Sequence, residues 1–478
     1  MAETSTQLKD GSISFWGALA ISFGNMAPAA SVIFLPQAIA QFTGTRVPLA
    51  FVFAMVGAFF TASSIIYFAR RFASAGAAYT FNRIAFNKVI GFSSGWMLFL
   101  AYGLNFPANM LVFGYFASGF FSQVFGLTIS WLVFAAAAML LVVFMVIRGI
   151  KTSARVDLVL LVVESVIIFV LAVVIVIHGG AHGNTMEVFS TKGSHNGWVG
   201  ILFGMLYGVG AFSGFEASAT VAEETRNRYR NIPLSIIVTL TIGGLFYILV
   251  AYAIAIGYGI GNGHALAVAN LPLSLLADHY VGSWMGAAVN LAGMISAFGI
   301  ALASSNASAR VMYAMGREGV IYSWIGRLHK KYATPSYATW LIFSVSVVLV
   351  LVFGLFMRPY PNGFSAIAAG ADLLGLSLYI LINIGWIRLW MRERNHFHIG
   401  FIRGVIPSVL GAIIMFIPLV ASVVPMPAWP LNLVIYVTIA YALVGIIIGW
   451  RAKDVPPMLK EDVVGTIPVA STEQSMHK

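Results

Sequence analysis

Residues 208–233, Gly208 to Pro233, read GVGAFSGFEASATVAEETRNRYRNIP. An apolar stretch is interrupted by Gly208, Gly210 and Gly214, meets a lone carboxylate at Glu216, and runs through Glu223 and Glu224 into Arg226, Arg228 and Arg230. Each glycine weakens a helix by about 1 kcal/mol relative to alanine. A weakened helix beside a carboxylate is costly inside a bilayer unless the loosened backbone lines a cavity or meets something polar. The rest of the chain shows that a bilayer is its solvent. Of 478 residues, 60% are hydrophobic and 9% are charged, with a mean hydropathy of +0.90. Soluble domains carry about 25% charged residues.

Twelve apolar runs are long enough to span, at about 20 residues for a hydrocarbon core of about 30 Å. They lie near residues 14–41, 47–69, 89–122, 127–147, 155–178, 198–225, 231–258, 283–311, 337–357, 363–390, 402–424 and 429–450, and are numbered spans 1 to 12. Turn formers divide them: FTGT, HGGAHGN, YGIGNGH, RPYPNG and VPMPAWP. The first run is too long for a secretory h-region and no small-residue cleavage site follows it, so it is expected to stay as a span. Span 3 is too long for an upright helix and is expected to tilt.

The charges set an orientation. With the N-terminus in the cytoplasm, 24 of the 27 Lys and Arg fall on the cytoplasmic side, and Arg46, Lys192 and Arg358 fall outside. The positive-inside bias therefore places both termini in the cytoplasm of a multi-pass protein of the plasma (inner) membrane. The same bias explains the net charge of +11. The basic residues are topological anchors scattered over seven cytoplasmic segments, so nucleic acid is not the expected partner. There is no Cys, which excludes disulfides and thiolate metal sites. His178, His182 and His195 share one loop but lack a supporting carboxylate, so a solvated loop is expected there and no metal. The GYGIGNG stretch follows no strand and falls outside the membrane, and no phosphate-binding G-x-x-x-x-G-K-[ST] occurs, so neither a dinucleotide nor ATP is implied. No cofactor is expected.

Span 1 holds SFGNMAPAAS (Ser22–Ser31) and span 6 holds YGVGAFSGFE (Tyr207–Glu216), each with Gly or Pro at mid-membrane depth. Five spans separate their starts, so the two enter from opposite sides. Interrupted helices at matching positions of two inverted halves point to a transporter binding site. Gly-rich helices also pack closely in ordinary bundles, but packing alone does not account for the matched pair.

At this point a family resemblance becomes specific. The segment FSGFEASATVAEETRNRYRNIPLSI, with SARVDLVLLVVE from Ser153 and SSNASARVMYAMGREGVIYSWIGRLHKKYATPSYA from Ser304, resembles the amino acid-polyamine-organocation (APC) superfamily of secondary transporters. SAGAAYTF after span 2 and ADLLGLSLYILINIGWIRL in span 10 fit the same pattern, so the resemblance covers spans 1 to 10 in order. It implies an all-α integral membrane protein of the LeuT-like fold: twelve transmembrane helices, with two inverted five-helix repeats over 13–180 and 195–392. Peripheral spans 11 and 12 (401–450) and cytoplasmic tails (1–12, 451–478) complete the chain.

The expected substrate site follows from the breaks. A half-helix beginning near Pro28, a residue suited to a first helical position, would present N–H groups of Ala29, Ala30 and Ser31 and a positive dipole end to a substrate carboxylate. Carbonyls near Ser22, Phe23, Gly24, Gly208 and Gly210, with Phe212 and Gly214 beside them, would face an ammonium group. Where amino acid transporters of the superfamily commonly carry Gly-Ser-Gly in span 1, this chain reads Ala29-Ala30-Ser31, and the extra methyls crowd that approach. Among intramembrane acids, Glu216 either caps the second half of span 6 or serves gating and protonation. Glu164 stands where proton-coupled relatives often carry Lys. Asp372 is read as a helix-bonding residue, and Asp157, Glu223 and Glu224 as solvated groups at the cytoplasmic boundary. Tyr102, Phe106, Phe212, Phe215 and Trp284 are candidate pocket walls.

The expected function is a secondary active transporter carrying amino acids or related amines across the cytoplasmic membrane by alternating access, coupled to protons. A polyamine importer or an amino acid exchanger is the alternative. A membrane-embedded enzyme lacks a nucleophile or metal constellation here, and a channel would show parallel pore motifs. The expected partners are a small-molecule substrate, a co-transported proton and the lipid bilayer. Substrate identity and oligomeric state stay open.

Overall fold

The computed structural model describes residues 11–191, 197–269, 271–396, 399–424, 426, 429 and 431–454. Lys192, His195 and nearly all of both tails lie outside the described residues. Every span forms helix. Span 1 is Phe15–Met26 followed by Pro28–Phe34, and spans 2 to 5 are Val47–Ala69, Lys88–Phe125, Trp131–Arg148 and Ile150–Ile177. Span 6 is Gly197–Phe212 with a 3₁₀ continuation Ala217–Glu224. Spans 7 to 12 are Arg228–Tyr258, Ser283–Arg317, Ser336–Phe356, Phe364–Glu393, Ile406–Ala421 and Leu431–Arg451. The described residues contain one isolated bridge, Ile13 with Thr225, and no strand.

Local chemistry explains where helices begin. The Ser14 hydroxyl accepts from Gly17 N–H, Asn87 Oδ1 accepts from Val89 and Ile90 N–H at 3.0 Å each, and the Ser130 hydroxyl accepts from Leu132 N–H. Span 3 has 38 residues, or about 57 Å at 1.5 Å per residue, so it tilts and projects beyond the hydrocarbon core. Three short helices fill joints where only turns were expected: Ala78–Ala85, Gly263–Val268 and Pro272–Tyr280. Their sequences are too short and too polar to register as spans.

Packing repeats with a shift of five helices. Span 1 packs on span 7 as span 6 packs on span 2, and the 5–8, 5–7, 4–8 and 3–4 pairings recur as 10–3, 10–2, 9–3 and 8–9. Because the shift is an odd number of crossings, the two copies run in opposite directions through the membrane. Burial ranks the helices: 89% of the apolar stretch of span 1 is buried, against 33% for span 11 and 17% for span 12. Broken span 1 is therefore central, and spans 11 and 12 flank the assembly with lipid-facing surfaces. The end where span 1 begins is called here the basic face.

Candidate functional site

The first break falls at Ala27, whose φ of 46° and ψ of 73° place a non-glycine residue in the left-handed region. The next half-helix starts at Pro28, the residue expected to open it. In span 6 the α-helix stops at Phe212, and Gly214 carries a φ of 91°. The two breaks touch. A Cβ on Gly214 would stand 2.6 Å from Asn25 Cβ, so only glycine fits where span 6 crosses span 1. Ser218 N–H donates to Ser22 Oγ at 3.0 Å, tying the two spans just below. Tyr247 on span 7 bridges them, its hydroxyl 2.9 Å from both Met26 O and Ala211 O. A hydroxyl has one proton, so it serves the two carbonyls in alternation. Phe212, also buried, sets its ring edge-on against Tyr247 at 5.1 Å.

The amides of the second half of span 1 are engaged by the protein itself. Ser31 N–H donates to Ala27 O at 3.0 Å. Ala30 N–H donates to Ser296 Oγ at 3.0 Å, and that hydroxyl donates to Glu164 Oε1 at 3.2 Å. Glu164, 3% exposed, thus stands where a substrate carboxylate was expected. Neither Ser296 nor Tyr247 was singled out from the sequence. A serine in a small-residue helix and a tyrosine in an apolar one carry no signal until the folded partners are known.

A narrow cleft opens below the span 6 break, toward the basic face, between spans 2, 3, 6 and 10. Its polar wall is Glu216, Tyr102, Tyr379, Asn105 and Ser213, and among the described residues no Lys, Arg or His lines it. Tyr102 and Tyr379 donate to the two Glu216 oxygens at 2.6 and 2.7 Å, and Tyr379 Oη also accepts from Gly214 N–H at 3.1 Å. The Glu216 side chain takes no hydrogen bond from the first turn of the 3₁₀ helix it precedes. Tyrosine donors rather than helix capping therefore hold this carboxylate.

The other expected site residues spread over different surroundings. Ser22, Phe23, Ala29, Ala30 and Ser31 are buried at or beside the first break. Gly24 faces Asp157 of span 5, with Oδ2 only 2.1 Å from where a Cβ would be. Gly208 packs on Ala54 and Ala50 of span 2, while at Gly210 the nearest atom to an added Cβ is Asp372 Oδ2 at 3.6 Å. Trp284 is exposed and walls nothing.

Three acids expected in solvent are buried. Asp157 is 3% exposed, and Glu223 and Glu224 carry ion pairs that seal the basic face. Arg317 grips Glu223 with two nitrogens at 2.7 and 2.9 Å, and Ala75 N–H donates to the same carboxylate. Arg310 Nε donates to Glu224 Oε2 at 2.7 Å. Ile13 extends the seal through backbone bonds to Glu224 and Arg226. Outside the spans, burial and then the Glu318 charge push the Tyr79 hydroxyl up, and Tyr79 donates to Glu318. Among the described residues no three His, Cys, Asp or Glu are placed to hold a metal ion.

Two interrupted helices locked together over a pocket, with a closed face below, is an arrangement that known sequences can identify. The family profile described as amino acid permease matches residues 13–449. The chain belongs to the amino acid permease family. Relatives of this permease include the low-affinity putrescine importer PlaP of Escherichia coli (strain K12), 28% identical over 74% of this chain and 76% of its own length. The branched-chain amino acid permease BcaP of Bacillus subtilis (strain 168) is 25% identical over 73% and 75%. The aspartate-proton symporter of Bacillus subtilis (strain 168) is 23% identical over 43% and 40%. The permease is a multi-pass membrane protein of the APC superfamily and a secondary transporter.

Proposed function

We propose that this permease takes up an amino acid or amine together with a proton by alternating access around the breaks in spans 1 and 6. The basic face is read as cytoplasmic, in the cell's plasma membrane. The observation that carries the proposal is the pair of interrupted helices in contact at Gly214 and Asn25 above a closed basic face. In this reading the substrate meets the backbone at Ser22–Gly24, Ala29–Ser31, Gly208, Gly210, Phe212 and Gly214, and Glu216 belongs to the gate or the proton path. The relatives' printed names, which cover a putrescine importer, a branched-chain amino acid permease and an aspartate-proton symporter, support this substrate range and the proton.

Glu164 gives the coupling a route. Ionised, it holds the Ser296 hydroxyl and, through it, the Ala30 N–H. Protonated, it holds the Ser296 hydroxyl more weakly, so that Ser296 can turn and leave the Ala30 N–H to a substrate carboxylate. A proton moving down about 100 mV supplies about 2.3 kcal/mol, enough for a gradient of about forty-fold. The test is uptake into proteoliposomes against a panel of amino acids and diamines, with and without a proton gradient. The proposal expects saturable uptake with counterflow, and a Glu164→Gln variant that loses gradient-driven accumulation yet exchanges preloaded substrate. Wild-type accumulation in that variant removes Glu164 from the coupling, and chemical conversion of the substrate overturns the transport reading.

A further inference from the structure

Span 5 carries a second buried carboxyl group two turns nearer the basic face. Asp157 is seven residues before Glu164, which places both on one side of the helix about 10.5 Å apart along its axis. Asp157 is 3% exposed, and its Oδ2 has no hydrogen-bond partner among the described residues. Two glycines make room for it. A Cβ on Gly24 of span 1 would lie 2.1 Å from Asp157 Oδ2, and one on Gly299 of span 8 would lie 2.9 Å from Oδ1. The carboxyl group is thus clamped between the first half of span 1 and the middle of span 8, one turn from the break at Ala27.

We propose that Asp157 is a protonatable site that reports whether the first half of span 1 is seated. An ionised carboxylate without a partner is heavily penalised inside a membrane protein, so the seated arrangement holds the neutral acid. When the first half of span 1 swings away from spans 5 and 8, water reaches Oδ2. The O–H bond then breaks, the proton leaves as hydronium on the basic face, and the carboxylate stays behind. Reseating requires a proton again, which passes from Glu164 through the water that has entered and leaves Glu164 ionised.

The surroundings offer little else that could set this charge. Residues 15–34 of span 1 contain no titratable side chain, and neither do residues 283–309 of span 8. Arg310, the first charge on span 8, pairs with Glu224. On span 7, residues 231–246 carry none; Arg228, Tyr229 and Arg230 lie at its start, and the Tyr247 hydroxyl is bound at the breaks. Span 4 brings only Arg148, set over Phe144 and Tyr332. The helix Pro272–Tyr280, which carries Asp278, His279 and Tyr280, leads into span 8 at the opposite face. On span 5 itself, among the described side chains, Arg155 is exposed and Glu164 stands two turns away.

The proposal rests on the transport reading and is tested beside it. Proteoliposomes containing wild type or Asp157→Asn, which keeps the shape but cannot ionise, are loaded with a pH dye and given substrate under a proton gradient. The proposal expects the variant to carry fewer protons per substrate and to lose gradient-driven accumulation at least tenfold, while counterflow persists. Counterflow also reports folding, and its loss in both proteins would fall on the transport reading instead. A Gly24→Ala variant, which drives a methyl into Oδ2, should shift the pH dependence of uptake in the same preparation. Wild-type proton stoichiometry in Asp157→Asn overturns the proposal. So does a Na⁺ or K⁺ requirement in wild type that Asp157→Asn abolishes, because that would make the site one for a metal cation.

Discussion

Gly210 and Gly214 look alike in the sequence and differ in the fold. Gly214 has a φ of 91° and stands against Asn25, whereas an added Cβ at Gly210 finds its nearest atom, on Asp372, at 3.6 Å. Gly214→Ala should therefore abolish uptake and lower the melting temperature in detergent, while Gly210→Ala keeps at least half of wild-type uptake; equal losses in the two would contradict the account of the break. Tyr247→Phe removes the donor shared by Met26 and Ala211 carbonyls. Leaving buried acceptors unpaired costs about 1–3 kcal/mol, so uptake should fall about tenfold or more with expression retained, and an unchanged rate would show that the bridge is dispensable. The sequence exposed residues whose chemistry is out of place locally, such as Pro28, Gly214, Glu164 and Glu216. It did not expose Asp157, which lies two residues from Arg155 and looks like a boundary group. Its burial comes from Gly24 and Gly299, each more than 130 residues away along the chain.

At the scale of elements, hydropathy and turn formers were enough to find all twelve spans, because a helix crossing a bilayer must satisfy its backbone within one continuous apolar run. The breaks were legible too, as glycines and a proline at matching depth. The 3₁₀ geometry of Ala217–Glu224 was not legible, nor was the burial of Glu223 and Glu224, since their partners Arg317 and Arg310 sit on span 8. These pairs hold the basic face shut. Removing one partner of a buried ion pair costs about 3–5 kcal/mol, so Glu223→Gln should weaken closure more than it weakens the fold. A single cysteine at Ser213, in a chain that has none, reads this directly. Its labelling from the basic face should rise severalfold in the Glu223→Gln background, and an unchanged rate would mean that closure lies elsewhere.

For the whole molecule, pairings that recur five helices apart give two halves that face opposite ways, so a site between spans 1 and 6 can open to one side or the other. The uneven distribution of basic residues adds a direction. Tags at residues 1 and 478 should be unreachable from outside intact cells, and a tag near Asn184 reachable; surface labelling of either terminus would reverse the orientation. The central claim is that one site is exposed to the two sides in turn. Its most direct test is labelling of the Ser213→Cys protein in vesicles by a membrane-impermeant thiol reagent, applied to each side separately with and without a proton gradient and transported substrate. Alternating access predicts that any condition raising the labelling rate from one side lowers it from the other. Labelling that is fast from both sides under the same condition would describe a continuous pore and contradict the account.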